Sequence, residues 1–391
     1  MRNRILIRRK TSRALSRTRR RKPPTYRRAP TLLLYWSDAE LIYDNYTVGS
    51  RITADPLVFS ILDYCHEWRS VAEVCAYLGK FNSASVSRAL ELLCRNGILH
   101  RSDQPLNHRE KDLAGWQKWN PAAGFFHFST KDVEFARDPD LAFRELQRQA
   151  KRQPMPQVGK RYPGAQRWKL GAINSGEGFP QILKGRRTWR KYGQNPVELA
   201  DLAKLLYLTF GVQNWRKIPG VGRMAMKTSP SGGGLHPIEA YVVARNVNGL
   251  PGGIYYYDPQ KYALVRVGKP VSRAALEKMV GNQWWFGDAA FLVLMTAVFG
   301  RTQWKYDFPR AYRVVLLEAG HLAQTFCLTA TWLGLAPFST AALADTKWEK
   351  LLGIDGVLES VLYAVGAGTR PIDERGAHIG KSASARLPNW G

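Results

Sequence analysis

Apolar positions along residues 31–103 recur with the periods of short strands and short helices. Leu32-Leu33-Leu34-Tyr35-Trp36 and Leu41-Ile42-Tyr43 flank the polar Ser37-Asp38-Ala39-Glu40, the pattern of a β-hairpin. Asp55-Pro56 opens a helix with Leu57, Ile61, Leu62 and Cys65 on one face, because proline is tolerated in a first turn. Ser70 and Glu73 have capping-box spacing and precede Val71, Val74, Cys75 and Leu78. Ser83 is placed to cap a third helix, whose stripe of Val86, Leu90 and Leu93 is stopped by Gly97. Ile98-Leu99-His100-Arg101 reads as extended.

Periodicity then fades. A stretch rich in Pro, Gly and Trp, residues 104–180, reads as a linker or extension broken by one helix near Pro139–Gln153. From Gln181 the pattern is α+β. Asn195-Pro196 starts an amphipathic helix carrying Leu199, Leu202, Leu205, Leu206 and Phe210, and Gly211 closes it. Strands follow at Ile238–Arg245, Gly253–Tyr257, Ala263–Val267 and Ala289–Phe299, with a short helix capped by Ser272. Pro309–Leu333 is one long helix, apolar on nearly all sides, which requires burial in a core or a subunit interface. A helix at Asp345–Leu352 and a strand at Val357–Val365 complete the pattern.

Charge changes this picture most at the N-terminus. The 391 residues carry a formal charge of +27, which commonly signals a polyanionic partner. Residues 1–30 hold thirteen Arg or Lys and no acid, lack apolar periodicity and end among prolines, so a disordered basic arm is expected. Residues 31–103 hold six basic and nine acidic side chains. Hairpin, three helices and closing strand make a small winged-helix-like module, yet its negative balance cannot neutralise phosphates, which argues against duplex binding. Recognition of a peptide or protein partner, or capping of the following domain, suits it better. Residues 104–391 carry 39 basic and 22 acidic side chains.

Cys65, Cys75, Cys94 and Cys327 have no paired spacing, so neither a zinc site nor a disulfide framework is expected. They read as reduced thiols of a cytoplasmic protein. No charge-free apolar run reaches the length of a membrane span, and the arginine pairs near the start lack an apolar segment behind them.

Two segments carry candidate chemistry. Arg186-Arg187-Thr188-Trp189-Arg190-Lys191 gathers four cations and a hydroxyl, groups suited to a phosphate. Thr228-Ser229-Pro230-Ser231-Gly232-Gly233-Gly234-Leu235-His236-Pro237 places three glycines where backbone can approach a flat ligand, without the lysine and spacing of a Walker loop. Glu318 and His321 are three apart on one helix but have no second such pair, so a metal site is not expected.

Taken in order, the Arg186–Arg190 segment, the Ser229–Pro237 loop leading into Glu239-Ala240-Tyr241, Trp304-Lys305-Tyr306 with Arg310-Ala311-Tyr312-Arg313, Leu317-Glu318-Ala319-Gly320-His321 and Val365-Gly366 resemble successive motifs of the SagB-type dehydrogenases. That family belongs to the FMN-dependent nitroreductase superfamily, and the resemblance covers roughly residues 181–370. It implies a nitroreductase-like α+β fold over 181–391 and FMN bound at a homodimer interface. Arg186 and Thr188 would meet phosphate and ribityl, Thr188 standing where serine is usual. Arg190 would face the pyrimidine edge, with Arg187 in the same cofactor-binding set. Pro230, Ser231, Gly232 and Gly233 would line the ring, Pro337, Phe338 and Ser339 would lie near its hydride-accepting side, and Arg370 would return to the phosphate. Part of the basic excess of residues 104–391 then serves the flavin phosphate and an acidic peptide.

Lys305 and Tyr306 match the family's Lys-Tyr pair, which implies oxidation of thiazolines or oxazolines in a ribosomally made precursor peptide, after a partner cyclodehydratase has formed the ring. Tyrosine with an ordinary pKa near 10 needs a neighbouring cation to act as a base at neutral pH, and lysine supplies one. Two other readings remain open. One keeps FMN and reduces a small acceptor with NAD(P)H. The other is nucleic-acid binding through the basic arm and the winged-helix-like module.

Overall fold

In the computed structural model, the basic N-terminal run is not disordered to residue 30. Strand β1 (Thr25–Arg28) buries Tyr26 to 1% exposure, an apolar anchor concealed among arginines. Residues 23–134, 138–153, 177–220 and 222–372 are described by the structure, so the rest of the expected arm lies outside the described residues. The chain divides into two units, Met1–Leu106 and Asn107–Gly391.

In the first unit β2 (Leu32–Ser37), β3 (Glu40–Asn45) and β4 (Ser50–Thr53) form an antiparallel meander, one strand longer than the expected hairpin. Three helices follow: α1 (Leu57–Tyr64), α2 (Val71–Leu78) and α3 (Ser83–Arg95). The capping box at Ser70 and Glu73 forms, whereas α3 is capped by Asn82, whose side chain accepts the Ser85 N–H at 2.8 Å, and not by Ser83. Strand β1 lies between β5 (Arg69–Ser70) and β6 (Leu99–Arg101), over a core of Tyr26, Tyr43, Leu62, Val74, Leu90 and Ile98.

The start of the expected linker is instead part of the second unit. Helices α4 (His108–Leu113) and α5 (Ala122–Ser129) flank a tight turn at Ala114–Trp119. Trp116 and Trp119 are fully buried, and the Trp116 indole donates to Val357 O at 3.1 Å. His127 bridges two further segments. Its Nε2–H donates to Gly356 O at 3.0 Å, which leaves Nδ1 to accept the Tyr312 hydroxyl at 2.8 Å. Desolvation pushes this imidazole down to about 3, so it stays neutral. Lys131 Nζ completes the attachment, 2.6 and 2.7 Å from the buried Glu349 carboxylate oxygens. Helices of six and eight residues are too short to show a period, and the tryptophans that anchor them resemble linker composition. Helix α6 (Pro139–Arg152) forms where expected.

After α7 (Phe179–Gly185), the pair β7 (Val197–Glu198) delays the next helix, α8 (Leu199–Phe210), by three residues relative to the expected start. A hairpin that periodicity did not reveal, β8 (Asn214–Ile218) with β9 (Gly222–Met226), comes next. Strands β10 (Ile238–Ala244), β11 (Val247–Asn248), β12 (Gly253–Asp258) and β13 (Ala263–Gly268) precede α9 (Arg273–Met279). Strand β14 (Phe291–Val298), α10 (Phe299–Gln303), α11 (Ala311–Trp332), β15 (Ala336–Thr340), α12 (Asp345–Leu352) and β16 (Glu359–Gly368) follow. The main sheet is antiparallel throughout, in the order β13-β12-β10-β14-β16-β15, with β14 buried along nearly its whole length.

Helix α11 packs on β15, β16 and α8. It is long and apolar enough to cross a membrane by length and composition, but Val315, Ala319, Leu322 and Phe326 are buried within this unit, as in a core helix. Its opposite side is exposed and includes Arg313, Leu316, Leu317, Gly320 and His321, with Leu317 at 61%.

Candidate functional site

The glycine loop joins β9 to β10 and is fastened to α11 at three points. Ser229 Oγ lies 2.7 Å from Thr325 Oγ1, Ser231 Oγ donates to Glu318 Oε2 at 2.5 Å, and Gly232 abuts Val314, whose Cγ1 fills the place a Cβ would take. Ser231 Oγ also accepts the His236 N–H at 2.9 Å. Its only proton is therefore committed to Glu318, so the Ser231 hydroxyl is a strut of the loop that cannot also donate to a ligand. His236 Nε2–H donates to Ala225 O at 3.1 Å, turning Nδ1 toward Glu318 Oε1 at 3.7 Å. Burial lowers the Lys227 amine below its ordinary value, against the opposing pull of Glu239 and Glu318.

Gly233 brings two motifs together. At φ +69°, a Cβ built there would sit 2.8 Å from Tyr306 Oη and 3.0 Å from Lys305 Nζ. The glycine is required because these two side chains occupy the space, a reason different from ligand approach. Lys305 Nζ lies 5.4 Å from the Tyr306 ring centroid. The pair follows α10 in a turn whose Lys305 and Tyr306 amides both donate to Thr302 O, and the Trp119 indole holds Tyr306 O at 2.8 Å. Trp119, in the segment read as linker, thus fixes the backbone of Tyr306.

The arginine segment is built at the other end of α11. Trp189 N donates to Pro337 O at 3.0 Å, tying it to β15. Arg370 donates through Nε to Leu335 O at 3.1 Å and through Nη2 to Thr331 O at 3.2 Å, with its guanidinium 5.7 Å from the Trp189 ring. Partial burial lowers the Arg370 pKa from its ordinary value without neutralising it. Arg187 turns back onto the carbonyls of Lys184 and Arg186, Arg190 lies 5.7 Å from the Trp285 ring, and Thr188 is exposed. Arg186, Arg187 and Arg370 have no carboxylate within 4.0 Å among the described residues. The expected role of Phe338 needs correction. Its ring is 0% exposed and stacks on Phe286 at 3.8 Å, so it belongs to the core. Alternation along β15 leaves Pro337 and Ser339 on the opposite side, where Ser339 Oγ accepts the Tyr363 hydroxyl at 3.1 Å.

Two clusters result. Pro230–Gly233, Lys305 and Tyr306 gather near Val314 and Glu318, while Arg186–Arg190, Pro337 and Arg370 gather near Thr331. At a rise of about 1.5 Å per residue, Glu318 and Thr331 are separated by about 20 Å along α11.

An antiparallel sheet thus carries one half-buried helix, with a glycine loop and a cationic segment fastened toward its two ends. The family model described as Nitroreductase family matches residues 183–369. A Methanocaldococcus jannaschii protein named as a nitroreductase, MJ1384, is 34% identical over 44% of this chain and 83% of its own. The chain belongs to the nitroreductase family of oxidoreductases. It is also similar to the trifolitoxin-processing protein TfxB of Rhizobium leguminosarum bv. trifolii, at 22% identity over 85% of this chain and 93% of that one. The microcin B17-processing protein McbC of Escherichia coli is 27% identical over 41% of this chain and 58% of its own.

Proposed function

We propose that this protein is an FMN-dependent dehydrogenase that oxidises thiazoline or oxazoline rings to thiazoles or oxazoles in a ribosomally made peptide. The observation that carries the reading is the meeting of Lys305 Nζ and Tyr306 Oη at Gly233, in the loop whose motif resembles a flavin-lining segment. The similarity to two toxin-processing proteins supports a peptide substrate, and a cyclodehydratase is the partner such chemistry requires.

The donor set fits FMN. Arg186, Arg187 and Arg370 are cations without carboxylate partners among the described residues, as a phosphate site requires. Arg190, Pro337 and the backbone of Pro230–Gly233 would complete the cradle. When bound, the flavin supplies a two-electron acceptor for hydride.

Aromatisation removes one proton and one hydride from neighbouring ring carbons. Tyr306 Oη takes the proton, and the Lys305 ammonium stabilises the phenolate that must exist beforehand. The Trp119 indole on Tyr306 O holds the turn that presents this hydroxyl.

The two clusters stand about 20 Å apart along one helix, and an apolar stripe at Leu316 and Leu317 is exposed beside them. Both features support a homodimer in which each site takes the arginine segment from one protomer and the glycine loop from its partner. The unit at 31–103 would engage the peptide or protein partner, in a cytoplasmic setting.

Purified protein should carry a chromophore released as FMN. Lys305→Ala and Tyr306→Phe should retain it and lose azoline oxidation. Full oxidation in both variants would refute the catalytic assignment. Anaerobic NAD(P)H-driven reduction of a nitroaromatic, without azoline oxidation, would favour a small-molecule reductase.

A further inference from the structure

Between Asp201 and Glu239 the chain has no carboxylate, and within this stretch β8 and β9 pair only with each other. The register sets Trp215 opposite Ala225 and Lys217 directly opposite Arg223, and the Arg223 guanidinium lies 4.9 Å from the Trp215 ring centroid. Trp215, Lys217 and Arg223 are exposed. Like charges set directly across an antiparallel pair destabilise it. Lys217 and Arg223 have no carboxylate within 4.0 Å among the described residues to offset this.

The root of the hairpin touches the candidate site. Met224 Cε comes within 2.9 Å of a Cβ built on Gly234, and Ala225 O accepts the His236 ring proton. Alternation along β9 puts Arg223 and Ala225 on the face opposite Met224. The cationic face is therefore presented outward from the glycine loop that Lys305 and Tyr306 approach.

We propose that this face of the hairpin docks a carboxylate-bearing stretch of the peptide substrate, next to the ring being oxidised. The proposal rests on the peptide reading above. In an extended peptide, alternate side chains share a face about 7 Å apart, so a carboxylate can meet Lys217 with Arg223 while the side chain two residues along lies over the flat apolar surface of Trp215. A second copy meeting the same face across a two-fold axis would oppose cation to cation. The two cations of this face are also few against the roughly 6–10 phosphate contacts of a duplex site.

The test uses the full chain and a Glu-rich probe peptide with a central photo-crosslinker, beside its Gln-rich analogue, with adducts mapped by mass spectrometry. The Glu probe should label residues 214–226. Labelling should fall about five-fold or more with the Gln probe and in Lys217→Glu/Arg223→Glu. That variant should keep its flavin and melt close to the parent, since one like-charged pair replaces another. Lys217→Gln/Arg223→Gln removes the repulsion altogether, should melt no lower than the parent, and supplies a neutral pair should the reversal fail to fold. Equal labelling by both probes, adducts confined to residues 1–30, or competition by duplex DNA stronger than by the Glu peptide would overturn the proposal. Hairpin labelling without azoline oxidation would instead refute the catalytic reading alone.

Discussion

Gly233→Ala separates backbone strain from active-site displacement. Residue 233 sits at φ +69°, where an L side chain costs about 1–2 kcal/mol. Gly353, at φ +73° with nothing within 4 Å of the position a methyl would take, carries that penalty alone. The two alanine variants should therefore lose similar stability from the backbone. Only at position 233 does the new methyl meet Tyr306 Oη at 2.8 Å and Lys305 Nζ at 3.0 Å. Ordinary contact is about 3.5 Å, so these groups must retreat by about 0.5 Å or more. Misplacement of about 1 Å can cost about 100-fold in rate, and the smaller shift predicts a fall of about 10- to 100-fold. The assay is single-turnover azoline oxidation by flavin-loaded protein, with thermal unfolding in parallel. Wild-type turnover in Gly233→Ala, or an equal loss in Gly353→Ala, would refute the placement of the pair.

Two further outcomes follow from buried polar groups. Glu318→Ala leaves the Ser231 hydroxyl without its acceptor and should cost about 1–3 kcal/mol in chemical denaturation, whereas Glu318→Gln, which keeps a carbonyl oxygen, should cost less; equal stability of Glu318→Ala and wild type would rule out the strut. His127 is held down to about 3 by burial, so the unfolded chain binds a proton between the ordinary imidazole pKa of about 6.5 and that value while the folded chain does not. Stability should fall through this window by about 1.4 kcal/mol per pH unit, and His127→Gln should flatten that limb of the unfolding curve measured from pH 7 to pH 4. An unchanged slope would show that His127 takes up its proton in the folded state.

Much of the fold was legible wherever an element was long enough to display a period or carried its own punctuation. The box at Ser70 and Glu73, the stripe of α3 and the apolar run of β14 all became structure, because local preference and burial agree there. Failures occurred where a single side chain outweighed its neighbours. Tyr26 turns part of a basic run into a strand, and Trp116 and Trp119 convert a stretch read as linker into a packed layer. Strands β8 and β9, mostly exposed, have no apolar alternation to reveal them.

The site was legible as residue types but not as relationships. The motifs containing Gly233, Lys305 and Tyr306 could be named from the chain, yet their meeting requires α10, the glycine loop and the Trp119 turn to be in place together. Ser231 shows the limit of reading by residue type. A hydroxyl beside glycines suggests a donor to a ligand, but once Glu318 accepts its proton it has none left to give. Phe338 fails for a complementary reason, since strand alternation assigns its ring to the core while Pro337 and Ser339 face the other way. A motif therefore identifies which backbone approaches the site, and the partners of each side chain decide which of its groups remain free for chemistry.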